Sequence, residues 1–158
     1  MASPRPLNYT TTIPVHQTVI ECQSILAASG ASSASVHFED GQPSGLSFSL
    51  KTPHGQRNFT LPVNVDGAQA VLAKMIRTNP PHVSRSALDK LRSREHAAKV
   101  AWRVVKDWLE ANLALIAAQM ATIDEVMLPY LHVEVGGEEK TLFEHYKAQE
   151  QAALLPGG

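Results

Sequence analysis

Apolar residues at Val15, Val19, Cys22 and Leu26 are spaced by three or four, the repeat of one helix face, and Ser29-Gly30 closes the run as a glycine cap does. The period then changes to two. Ala34, Val36 and Phe38, then Leu46, Phe48 and Leu50, then Phe59, Leu61 and Val63 alternate with other residues, with turn formers Asp40-Gly41 and His54-Gly55 between the runs. This predicts a three-stranded antiparallel meander with one apolar face that helices must cover. Helical spacing returns at Ala68, Val71, Leu72, Met75 and Ile76, after Asp66 and Gln69 in capping-box positions, and stops at Asn79-Pro80-Pro81. Ser86 with Asp89 opens the longest stretch, 87–120, along which Ala98, Ala101, Trp102, Val105, Leu109, Leu113, Ile116 and Met120 keep helical phase. As one helix it would be roughly 50 Å long. So small a sheet cannot cover that length, so part of it is expected to pack on another subunit.

The ends are less periodic. Met1 to Asn8 reads as a loose arm, and the Thr-rich Tyr9 to Ile13 as a short edge strand halted by Pro14. Thr122 with Glu125 caps a short helix that stops near Pro129, and the Gly136-Gly137 turn separates a strand, Leu131 to Val135, from a final segment, Lys140 to Leu155. The expected fold is α+β: an N-terminal helix, the meander, a second helix, one long helix and a short acidic C-terminal segment. It forms one domain over 9–146, with 1–8 and 147–158 as flexible ends.

Composition adds little until charge is mapped by position. In 158 residues, 44% hydrophobic and 18% charged, one core is the default. The lone Cys22 rules out an internal disulfide, the first residues lack the pattern of an export signal, and the apolar run Leu113 to Met120 is too short to span a membrane, so the cytoplasm is the expected compartment. The net charge of −1 conceals segregation: residues 74–106 carry nine basic and two acidic side chains, and residues 107–158 carry two basic and nine acidic. Such asymmetry fits a polyanionic partner for the basic part, or an acidic segment that docks on it.

Candidate chemistry is sparse. None of the seven histidines is spaced from another as a metal site requires, Cys22 lies on the apolar stripe of the first helix, and the glycines form no phosphate-binding loop. No catalytic residue, metal ligand or cofactor is therefore assigned, and the chain is expected not to be an enzyme. The basic segment does carry a mechanism. Arg92, His96, Lys99, Arg103 and Lys106 fall within about 40° of one line at 100° per residue, a stripe opposite much of the apolar one. Arg85, Lys90 and Arg94 extend it, and Lys74 and Arg77 lie on the preceding helix. Phosphates are the natural partner of such a row, because each neutralised phosphate releases counterions. Trp102 and Trp108 are candidates for base stacking by type, and for core or interface burial by helical phase.

The phrase Val100-Ala-Trp-Arg-Val-Val-Lys-Asp-Trp-Leu-Glu-Ala-Asn-Leu-Ala-Leu-Ile116, with Asp124-Glu-Val-Met-Leu-Pro-Tyr130, Lys140-Thr-Leu-Phe143, Gly45-Leu-Ser-Phe-Ser and Phe59-Thr-Leu-Pro62, resembles a family of small uncharacterised proteins encoded by phages and prophages. The resemblance runs over about residues 9–146 and implies a mobile-element origin without naming a reaction. The order helix, meander, helix is also similar to the core of phage single-strand annealing proteins, which form rings or filaments on DNA. The expected function is thus a non-enzymatic, homo-oligomeric binder of single-stranded DNA in replication or recombination. The alternative is a phage-encoded interaction module, such as a structural component, adaptor or inhibitor of a host system, whose basic stripe meets acidic protein.

Overall fold

The three alternating runs become β1 (Ser33–Glu39), β2 (Gln42–Thr52) and β3 (Gly55–Pro62) in the computed structural model, which describes residues 5–154. They form one antiparallel sheet in the order β1-β2-β3, with Val36 beside Leu46, Leu46 beside Leu61 and Phe48 beside Phe59. That register gathers Leu46, Phe48, Leu50, Phe59 and Leu61 on one buried face. Phe38 breaks the pattern. Asp40 and Gly41, both at positive φ, make the two-residue turn into β2, and a register shift between His37 and Phe38 leaves Phe38 66% exposed.

Two helices cover the sheet. From α1 (Val15–Ala28), Val19, Cys22 and Leu26 enter the core, and from α4 (Arg94–Ala117) come Ala101, Trp102, Leu109 and Leu113. Trp102 is wholly buried and its Nε1 donates to the Pro43 carbonyl at 3.3 Å. Cys22 is also fully buried, and burial pushes its thiol up to about 11, so it is a packing residue rather than a nucleophile. A smaller cluster joins Leu72, Met75 and Ile76 of α2 (Val65–Thr78) to Ala97 and Val100 of α4, with Leu88 and Leu91 of α3 (Arg85–Leu91) against it.

The expected helix over 87–120 is therefore two helices. Ser93 separates them: its extended backbone interrupts the ladder, its Oγ donates to the Lys90 carbonyl at 2.7 Å, and the same Oγ accepts from the His96 amide at 3.2 Å. One serine closes α3 and opens α4. At the other end Gln119 takes a left-handed conformation, and bonds from its amide to Ile116 O and from Met120 N to Leu115 O close the helix at Ala117. With 24 residues α4 is about 36 Å long. Leu109 and Leu113 are buried within the chain, so the argument for a second subunit from an uncovered 50 Å stripe does not hold.

Smaller departures have local causes. Asn64, not Asp66, caps α2, its Oδ1 accepting from Gly67 N at 2.8 Å, and Ser84, not Ser86, caps α3. Among the described residues Tyr9 to Ile13 pairs with no strand; Thr11 N closes a turn on Asn8 O. Thr122 caps α5 (Ile123–Met127) as expected. A 3-10 turn at Leu128–Tyr130 leads to the hairpin β4 (His132–Val135) and β5 (Glu138–Thr141), then α6 (Leu142–Leu154). The stretch 147–154, expected as part of a loose end, continues α6; residues 1–4 and 155–158 lie outside the described residues. No described helix is long and apolar enough to cross a membrane.

The hairpin is fastened to the outer face of the sheet. Leu131 bridges Phe59, and a chain of polar side chains crosses three strands: His37 Nε2 bonds Ser47 Oγ, Ser47 Oγ bonds Thr60 Oγ1 at 2.6 Å, and Thr60 Oγ1 bonds His132 Nε2. His132 Nδ1 lies 3.2 Å from Glu139 Oε1. Opposite His37 on β2 stands Gly45, where a Cβ would come within 3.2 Å of the Leu61 carbonyl of β3, so glycine suits the close approach of the strands there.

Candidate nucleic-acid interface

The nine candidate cations divide in two. Four belong to intramolecular pairs. Arg103 points to α1, where its guanidinium bonds Glu21 and reaches Thr18 Oγ1 at 3.4 Å, and only 14% of its side chain is exposed. Lys106 is 18% exposed and meets Glu110 at 2.6 Å, Lys99 lies 4.0 Å from Glu95, and Arg94 meets Asp66 of α2 at 2.5 Å. The stripe expected along α4 is thus drawn into pairs: Arg103 with α1, which flanks the helix, Arg94 with α2, and Lys99 and Lys106 with carboxylates of α4 itself.

Charge on this cluster is set by those pairs. Arg103, through its bond and its field, holds the Glu21 carboxyl below its usual 4.5, and the Glu110 carboxylate raises Lys106. A depressed carboxyl stabilises the fold above its unfolded value and loses that effect as pH falls through the folded one. Arg103→Gln should therefore lower the urea midpoint at about pH 7 and change it much less near pH 3. An undiminished difference in acid would mean that Arg103 acts through packing alone.

The other five, Lys74, Arg77, Arg85, Lys90 and Arg92, are exposed and have no ion pair among the described residues. They occupy the second half of α2, the whole of α3 and the residue that ends it, around the turn at Pro80-Pro81. Asp89 is the single carboxylate in that stretch. Beside it runs a groove of about 530 Å³, bordered by Thr10, Thr12, Lys90, Glu95, His96 and Lys99. A second groove, about 880 Å³, lies under the first turn of α4, but Glu39, Asp40, Asp66 and Glu95 outnumber Arg94 and Lys99 on its walls. The second groove is thus the more acidic of the two, Glu95 being the one carboxylate on the first among the described residues.

The tryptophans offer no stacking platform. Trp102 is core, and Trp108 is half-buried with its ring edge-on to Tyr130 at 5.5 Å. Local spacing also missed the outer-face chain of His37, Ser47, Thr60, His132 and Glu139, whose members sit 10, 13, 72 and 7 residues apart from one partner to the next. Only strand register could have joined them. Among the described residues no group of three or more His, Cys, Asp or Glu side chains is placed to hold a metal ion. Compared with models of known protein families, with curated proteins and with solved structures, the chain matches none of them.

Proposed function

We propose that this is a non-enzymatic, self-associating protein of phage or mobile-element origin that binds single-stranded nucleic acid, DNA in replication or recombination. The observation that carries the reading is the set of five exposed, unpaired cations on α2 and α3 with one carboxylate among them. A strand laid over α3 meets positive charge for its phosphates and, in the groove beside Lys90, hydroxyls of the Thr10–Thr12 segment. Among the described residues Tyr9 is the one aromatic lining that groove, half-buried and with the Arg5 guanidinium over its ring, so binding is chiefly electrostatic and nearly indifferent to sequence.

Salt titration tests this. Five phosphate contacts on a single strand give a log-log slope of about −3.5, so affinity for an oligonucleotide should fall roughly 100-fold between about 50 and 200 mM salt. No retardation at about 50 mM, where contacts are least screened, rejects the reading.

A further inference from the structure

We propose that the C-terminal surface of one copy, formed by the β4–β5 hairpin and α6, docks on the cationic α2–α3 surface of a second copy, so that assembly and nucleic acid compete for the same side chains. The competition rests on the function proposed above; the docking does not. None of the 13 residues of α6 is buried, and the helix packs mainly against the 3-10 turn and the hairpin before it. Phe143, Tyr146 and Leu154 are 52%, 58% and 82% exposed. They fall within about 60° of one line along the helix. Val135 at the hairpin turn and Leu128 before it are also about half-exposed. A face of this kind on a helix this exposed marks an interaction site.

Charge identifies the occupant. From Asp124 to Leu154 there are seven carboxylates and two lysines, and one of these, Lys140, is already held by Glu138 at 2.7 Å. The α2–α3 surface is the complement: five unpaired cations beside Val71 and Val83, both about half-exposed. Within one chain the two do not meet, since among the described residues no carboxylate of 124–154 pairs with a cation of 74–92. A second copy supplies what the first lacks. The two surfaces differ, so the contact is head-to-tail, and repeated it gives a ring or a filament.

Two variants of the full chain separate the surfaces. Lys74→Glu with Arg85→Glu spoils only the cationic side; both residues are exposed, and a carboxylate in the first turn of α3 suits that helix end. Phe143→Ser with Tyr146→Ser spoils only the other side. By sedimentation at about 50 mM salt, where pairing is least screened, the native chain should exceed its 17.1 kDa mass and each variant should not. Mixed, the variants should stop at a one-to-one dimer, because each retains one competent surface. A native chain that stays at 17.1 kDa, or a mixture that stays monomeric, overturns the docking. Added oligonucleotide should dissolve the native assembly. If it binds and the assembly persists, the shared surface is wrong. If it does not bind while the variants still pair, docking stands and the nucleic-acid function fails.

Discussion

Trp102→Ala should lower stability by about 3–5 kcal/mol, the cost of emptying a large core site that its surroundings cannot refill. Trp102 is wholly buried where α4 crosses the sheet, and its loss also strips the Pro43 carbonyl of its indole donor. That carbonyl sits at the start of β2, next to the register shift of β1. Trp102→Phe should cost less, since most of the volume remains and the unmet carbonyl adds about 1–3 kcal/mol. Urea unfolding followed by far-ultraviolet dichroism checks both. If the alanine variant loses under 1 kcal/mol, as surface changes typically do, then Trp102 does not hold α4 to the sheet as the structure places it.

Exchanging the five unpaired cations, Lys74, Arg77, Arg85, Lys90 and Arg92, for glutamine should bring the salt slope of oligonucleotide binding from about −3.5 towards zero. The same exchange at Arg94, Lys99, Arg103 and Lys106 should leave the slope near its native value and lower stability instead, because those side chains hold Asp66, Glu95, Glu21 and Glu110. The two quadruple-or-larger variants carry similar changes in net charge, so total charge does not explain a difference between them. If the α4 variant loses the slope and the α2–α3 variant keeps it, the interface lies along α4 and its pairs open to admit phosphate.

What could be read from the chain follows from the range of each interaction. The meander was legible because alternation, a two-residue turn and the next alternation all lie within a few residues. The break in 87–120 was not. The apolar phase runs on past Ser93, and one hydroxyl that bonds both helices leaves no mark in that phase. Gln119 hid the end of α4 in the same way, by taking the left-handed turn where glycine is the usual signal. The error at Arg103 was different in kind. A helical wheel gives direction but not neighbours, and α4 has more than one: Ala97 and Val100 face α2, whereas Trp102, Leu109 and Leu113 face the sheet core that α1 also packs into. The buried arc is wider than the apolar stripe, and Arg103 falls inside it with Glu21 as its compensation.

The chain from His37 to His132 obeys a proton inventory. Three bonds link its four heteroatoms, and each bond holds one hydrogen. Ser47 and Thr60 supply two, so one imidazole must contribute an Nε2–H while the other accepts. With His132 giving its Nδ1 hydrogen to Glu139, its neutral ring accepts at Nε2, and every hydroxyl then points from β1 towards the hairpin. Neither hydroxyl can turn alone without leaving two hydrogens in one link and none in the next, so the clasp between hairpin and sheet orders Ser47 and Thr60 as a single unit.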